Sequence, residues 1–249
     1  MNPITPGTIF TLGEHRLMCG DATNAKHMKA LLQQDKVDLL LTDPPYGVAY
    51  VETKAKGHKP IANDDISDEG KYADFTKAWL KPIAKQLNQK NSVYIFHVDK
   101  MLFALKEAME HYEVQFKQLL IWVKTASVMS RMDYHPQHEL IAYGWRGAHK
   151  FHRTADHSIL TCPKPKKNTV HPTMKPISLL RRLILNSSAR GGVVCDPFGG
   201  SGSTLLACEQ TKRQCRMMEL DPGYCQVIID RWEKLSGEKA VRITDTKPA

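Results

Sequence analysis

Val193-Val-Cys-Asp196-Pro-Phe198-Gly-Gly200-Ser-Gly202-Ser-Thr204 runs straight into Leu205-Leu-Ala-Cys-Glu209. A short apolar run stops at an acid, a glycine-rich turn follows, and a helix-favouring stretch follows the turn. Strand, glycine loop and helix in that order present backbone N–H groups to a nucleotide-type cofactor. No Gly-Lys-Ser/Thr follows, so this is not a P-loop. It also departs from the dinucleotide fingerprint, because Leu205 stands where the third glycine belongs. Asp196 at the strand end is badly placed for a pyrophosphate and suits a cofactor that carries a cationic amine.

Working outward, Met217-Met-Glu219-Leu-Asp221 ends a further strand about 20 residues on, and an acid there is placed to bind ribose hydroxyls. Upstream, short apolar runs at Val37–Thr42, Ser92–Phe96, Leu119–Val123, Glu139–Tyr143 and Gly192–Cys195 predict strands. Tyr72–Leu87 and Met101–His111 carry apolar residues at spacings of three and four and predict helices. Buried strands alternating with helices predict an α/β fold with a mostly parallel sheet. Such sheets bind ligands beyond the carboxyl ends of their strands, so the residues after each strand are the candidate site.

The strongest of these is Leu41-Thr42-Asp43-Pro44-Pro45-Tyr46-Gly47. Two consecutive prolines fix the backbone and remove two N–H donors. What remains is an acceptor surface, the Asp43 carboxylate and the Pro44 carbonyl, suited to a substrate that offers an amino group. Tyr46 adds a flat face on which a base can stack. His171-Pro-Thr173-Met-Lys175-Pro176 leads into a predicted helix at Ile177–Leu185.

The chain has 249 residues, 42% hydrophobic and 24% charged, which predicts one large soluble domain. Its apolar runs are far shorter than the ~20 residues of a membrane span. Met1-Asn-Pro-Ile-Thr-Pro6 does not read as a signal peptide. Six cysteines without a C-x-x-C pair predict reduced thiols and a cytoplasmic setting. Net charge is +9, and residues 145–185 hold nine Lys or Arg against one acid, Asp156. Charge so localised predicts a polyanion partner. Two stretches, about 47–70 and 144–168, break the strand–helix alternation and predict functional loops. His149, His152, His157 and Cys162 are too irregularly spaced to read as a zinc site, so no metal is expected.

Together these motifs resemble the amino-group DNA methyltransferases that use S-adenosylmethionine, in the permuted (β) order where the Asp-Pro-Pro-Tyr motif precedes the glycine loop. The resemblance runs from about Gly7 to Leu235 and is nearest to small bacterial and prophage-type modification methylases, which also carry Asn63-Asp-Asp65 and Tyr134-His-Pro-Gln-His-Glu139. It implies a Rossmann-like methyltransferase fold, a seven-stranded sheet with helices on both faces. It implies that residues 1–249 act as a single methyltransferase domain.

By the same resemblance, Asp43, Pro44, Pro45 and Tyr46 are the catalytic motif. Asp196, Phe198, Gly199, Gly200, Gly202 and Thr204 hold the methionine end of S-adenosylmethionine. Glu219 binds its ribose, and Asp21 and Ala22, after a strand His15–Cys19, contact its adenine. Thr173 and Lys175 pack beside its carboxylate. DNA, double- or single-stranded, is the expected partner. Candidate contacts are Lys54, Lys56 and Lys59 in the first loop, Arg131, and Arg146, Lys150, Arg153, Lys164, Lys166 and Lys167 in the second. Relatives of this order often form homodimers.

The expected reaction is methylation of adenine N6. An exocyclic amine is a poor nucleophile because its lone pair is delocalised into the ring. Hydrogen bonds accepted from both of its N–H groups localise that pair for attack on the methyl group. The target base must leave the duplex stack first. No Pro-Cys dipeptide occurs, which excludes the covalent cytosine-C5 route. Cytosine N4 presents the same N–H groups and is the nearest alternative; Asp before Pro-Pro-Tyr favours adenine within this group. Two alternatives of other classes are a DNA-binding protein with a vestigial cofactor pocket and a nicotinamide-dependent oxidoreductase. The intact acids oppose the first, and the missing third glycine opposes the second.

Overall fold

A computed structural model describes residues 3–47, 64–125, 127, 133–163 and 174–243. Its strands in chain order are β1 (Ile9–Leu12), β2 (His15–Cys19), β3 (Val37–Thr42), β4 (Leu87–His97), β5 (Val114–Val123), β6 (His138–Arg146), β7 (Ile159–Thr161), β8 (Val193–Asp196), β9 (Gln214–Glu219) and β10 (Val241–Ile243). The helices are α1 (Ala25–Leu32), α2 (Glu69–Ala84), α3 (Leu102–His111), α4 (Ile177–Ser187), α5 (Ser203–Thr211) and α6 (Pro222–Ser236).

Leu39, Leu40 and Leu41 of β3 are all fully buried. Successive strand side chains point to opposite faces, so burial of all three requires cover on both. Leu39 and Leu41 join one apolar cluster with α4, α5 and α6, through Leu183, Leu206 and Trp232. Leu40 joins the other with α1, α2 and α3, through Leu31, Trp79 and Met109. Each such leucine contributes about 1.5–3 kcal/mol by leaving water.

The strands form one sheet in the order β10-β1-β2-β9-β8-β3-β4-β6-β5-β7. β2, β9, β8, β3 and β4 run parallel. β6 pairs antiparallel with both β4 and β5. β2 to β5 in this order are the seven strands expected. Three short strands extend the edges, β1 and β10 beside β2 and β7 beside β5. The chain leaves β3 toward β4 and leaves β8 toward β9, so the strand order reverses between β3 and β8. A crevice forms at such a switch point.

Three helices begin at side-chain caps. Asn24 accepts from Lys26 and His27 N–H, Asp68 from Lys71 N–H, and Asp221 from Gly223 and Tyr224 N–H. α2 stops at Ala84, short of the expected Leu87, because Leu87 already pairs with Val37 and Pro82 sits in the last turn. All six cysteines are free and buried. Among the described residues no helix is long and apolar enough to cross a membrane.

Candidate active site

At the switch point lies a cavity of about 550 Å³. That volume suits a small-molecule cofactor. Its wall includes the β3 turn Asp43–Tyr46, the loop Pro197–Ser201 after β8, Glu219 after β9, and Gly20–Ala22 after β2. β3 and β8 are neighbours in register, with Leu40 opposite Cys195. Their terminal residues therefore meet: the Thr42 hydroxyl donates to Asp196 at 2.8 Å. β3 and β8 are tied at this bond.

The β3 turn is held from outside the strand. Buried Asp64 accepts from Tyr46 N–H at 3.0 Å and Gly47 N–H at 3.1 Å. The Tyr72 hydroxyl donates to the Pro45 carbonyl at 3.0 Å. Gly47 has φ +69°, and a Cβ there would stand 2.1 Å from the Ile66 carbonyl oxygen. Only glycine fits.

Asp43 stands in a buried ion network. Lys175 Nζ lies 2.6 Å from Asp43 Oδ2 and 3.0 Å from Glu139 Oε2, and Lys124 Nζ lies 2.8 Å from Glu139 Oε1. The Tyr46 hydroxyl donates to Asp43 Oδ1 at 2.5 Å. Lys175 Nζ donates in turn to that hydroxyl at 3.1 Å. Burial raises Asp43 above the usual carboxylate range, although Lys175 beside it pulls the other way. Burial also pushes Glu139 up, but Lys175 and Lys124 outweigh it and leave Glu139 at about 2. Burial followed by the Asp43 charge raises the Tyr46 hydroxyl well above its ordinary value, so it stays a donor.

The glycine loop is organised by the same acids that line it. Asp196 accepts from Phe198 N–H at 3.1 Å as well as from Thr42. Glu219 accepts from Gly200 N–H at 2.7 Å and Asp221 N–H at 2.8 Å. Burial pushes both carboxyls up to about 7. Gly202 has φ +83°, and a Cβ there would meet Ile228 at 2.9 Å, so α5 starts from a glycine packed directly on α6. Ser203 in the first turn of α5 lines the cavity, and its hydroxyl is buried without a partner. Phe198 packs edge-on to Trp79 at 5.4 Å.

The structure brings Asp43, Pro44, Pro45, Tyr46, Lys175, Asp196, Phe198, Gly199, Gly200, Thr204, Glu219, Asp21 and Ala22 to one cavity wall. Gly202 lies just behind it. Thr173, Lys54, Lys56, Lys59, Arg131, Lys164, Lys166 and Lys167 lie outside the described residues.

Three expected DNA contacts lie away from the cavity. β6 is antiparallel, so it finishes at the end of the strands opposite the cavity. There Arg146 pairs with Glu113 at 2.6 Å and donates to the Ala84 carbonyl at 3.1 Å. Lys150 and Arg153 follow at the same end, where Ala148 bridges Lys90 and His152 N–H donates to the Asn186 carbonyl in the last turn of α4. Among the described residues, Arg146, Lys150 and Arg153 therefore do not share one surface with the cavity mouth. Reversing both charges, Lys150→Glu with Arg153→Glu, is expected to change KM for DNA less than about twofold; a steady-state titration at fixed salt showing a tenfold rise would restore these residues to the DNA face. Cys162 lies against the Ser178 hydroxyl and His149 stacks on Trp145. Among the described residues no His, Cys, Asp or Glu group is gathered that could hold a metal.

Glu139, Lys124 and Asp64 are the site residues the sequence reading did not assign. Lys124 directly follows β5, and the rule of inspecting strand ends would have found it. Glu139 begins an antiparallel strand, so it reaches the same end from the other direction.

The family model for DNA methylases matches residues 37–230. The chain is 26% identical over 247 residues to the Type II methyltransferase M.HpaI of Haemophilus parainfluenzae, covering 88% of this chain and 74% of that protein. It is 24% identical to the DNA adenine methyltransferase YhdJ of Escherichia coli K12, covering 86% and 82%. Among solved structures, the M1.HpyAVI–SAM complex superposes with a TM-score of 0.65 at 23% identity, covering 86% of this chain and 98% of that one. The cytosine-N4-specific PvuII DNA methyltransferase does so with 0.68 at 14% identity, covering 95% and 96%.

Proposed function

The chain belongs to the DNA methylase family, and on that premise we propose that its cavity transfers a methyl group from S-adenosylmethionine to the exocyclic N6 of adenine in DNA. The observation that carries this reading is the pairing at the β3–β8 switch point. The strand ends that carry the acceptor turn, with no N–H at Pro44 or Pro45, and the acid-flanked glycine loop are joined by the Thr42–Asp196 hydrogen bond, and both line one cavity. The adenine assignment draws on Asp43 before Pro-Pro-Tyr and on the likeness to an adenine methyltransferase.

The residues fit the cofactor. Ser203 offers a buried hydroxyl without a partner beside the glycine loop, and two buried acids flank the same space. Asp196 would face the amino group of the methionine end, Glu219 the ribose hydroxyls, and Asp21 and Ala22 the adenine. The cofactor, when bound, supplies a methyl group activated by its sulfonium. Asp43 and the Pro44 carbonyl would accept from the target amine and concentrate its lone pair toward that methyl. The Tyr46 hydroxyl fixes one Asp43 oxygen, and Asp64 fixes the turn. Positioning and fixed dipoles thus carry the rate, and the step needs no metal and no covalent enzyme intermediate. The proposed unit is one methyltransferase domain acting on DNA in the cytoplasm, with 47–70 as the stretch facing DNA and a homodimer as the expected assembly.

Incubation with tritiated S-adenosylmethionine and unmethylated DNA tests the transfer. Label is expected in the DNA and not in the protein. Cofactor binding without DNA label would leave the vestigial-pocket alternative standing.

A pH dependence follows from the two acids. Below about 7 Asp196 and Glu219 hold protons in the free protein. A ligand that donates to both carboxylates, one donor being a cation, requires them ionised. Binding therefore releases protons, and affinity is expected to fall as pH drops from 8 to 6, by at most about tenfold per unit for each group. Calorimetric Kd values at pH 6, 7 and 8 check this. In Glu219→Gln the dependence is expected to flatten, and an equally steep profile there would contradict the assignment.

A further inference from the structure

We propose that Glu139 is a positioning residue for methyl transfer: it takes over the Lys175 ammonium when the target amine enters and displaces that ammonium from Asp43. The inference rests on reading Asp43 as the acceptor for the target amine.

Donor accounting carries it. The Lys175 ammonium has three N–H donors. It has three partners, Asp43 Oδ2 at 2.6 Å, Glu139 Oε2 at 3.0 Å and the Tyr46 hydroxyl at 3.1 Å. Asp43 has one oxygen taken by Tyr46 and the other by Lys175. Lys175 therefore stands where an incoming amine would donate. Each Asp43 oxygen accepts more than one donor, but the 2.6 Å ion pair crowds Oδ2, and of the two internal donors Tyr46 is tied to Asp43 through its own turn, which leaves the ammonium as the one an incoming amine pushes aside. Both donors have Glu139 Oε2 in reach, the Tyr46 hydroxyl at 3.3 Å and Lys175 Nζ at 3.0 Å, and only the ammonium carries a charge that this second carboxylate neutralises.

Lys175 is 6% exposed, and a buried ammonium deprived of its counter-charge is strongly disfavoured. Asp43 can give up the ammonium only if another anion holds it. Glu139 is that anion, and Lys124 keeps Glu139 in place at 2.8 Å from its other oxygen. Two carboxylates face two ammoniums, so the exchange moves hydrogen bonds inside a neutral quartet without exposing a net charge. A bare Asp43–Lys175 pair would be neutral too, but it would hold the ammonium on Asp43 with no alternative site.

The last point separates this role from plain charge balance. Glu139→Gln keeps the shape and removes the anion, and its kcat is expected to fall roughly 10- to 100-fold while the Kd for S-adenosylmethionine changes less than about threefold. The neutral double variant Lys124→Met with Glu139→Gln is expected to recover the wild-type melting temperature but not the kcat. It also keeps the test decisive should the single variant fold poorly. A Glu139→Gln enzyme with kcat within twofold of wild type would overturn the inference. So would a double variant that regains wild-type kcat, which would reduce Glu139 to a charge-balancing residue. Wild type is assayed beside them for N6-methyladenine: an inactive wild type overturns the reading of the site and this inference with it, whereas an active wild type with an unimpaired variant overturns this inference alone.

Discussion

Asp43→Ala is expected to lower kcat for methyl transfer on the order of 10²- to 10³-fold, the usual effect of deleting one preorganised polar group that acts mainly in the transition state. The amine would lose the acceptor that concentrates its lone pair, and the Pro44 carbonyl alone cannot hold both N–H groups. Removal of Asp43 also leaves the Tyr46 hydroxyl without its nearest partner and Lys175 with Glu139 as its remaining carboxylate. Cofactor affinity is expected to stay within about threefold of wild type, because Asp196 and Glu219, not Asp43, organise the glycine loop. Single-turnover rates measured beside calorimetric Kd values check both halves. Near-normal turnover with unchanged binding would remove Asp43 from the chemistry.

Gly47→Ala is expected to cost roughly 2–6 kcal/mol of stability, the sum of a non-glycine residue held at positive φ and an overpacked contact. The added Cβ would stand 2.1 Å from a backbone oxygen, Ile66 O, and backbone cannot swing aside as a side chain can. The strain falls on the turn that Asp64 clamps, so activity should fall with stability. For a domain of this size the loss corresponds to a melting temperature lower by at least about 4 °C. Scanning calorimetry checks it, and a shift under 1 °C would show that the turn relaxes freely.

The parallel centre of the fold was legible because β3 and β8 are covered on both faces and so carry the consecutive apolar residues Leu39–Leu41 and Val193–Cys195. The glycine loop and Asp-Pro-Pro-Tyr turn were legible because they depend on local backbone chemistry. β1, β7 and β10 were not: three or four residues at a sheet edge carry too little pattern to separate from loop. The direction of β6 was not legible either, since antiparallel and parallel strands share the same alternation. That one unknown placed Arg146, Lys150 and Arg153 at the far end of the strands and brought Glu139 to the site. The quartet Asp43, Lys124, Glu139 and Lys175 joins residues up to 132 positions apart, and no local signal announces such a contact. Charge counted along the sequence suggested one basic surface, whereas Arg146 and Arg182 are paired to Glu113 and Asp156 and Lys175 is buried in the cavity wall.

The most direct test of the central claim is the identity of the methylated nucleoside. Unmethylated DNA is incubated with the protein and methyl-labelled S-adenosylmethionine, digested to nucleosides, and resolved by mass. Label in N6-methyldeoxyadenosine is the expected result. Label in N4-methyldeoxycytidine alone, or in no nucleoside while the cofactor binds, would contradict it.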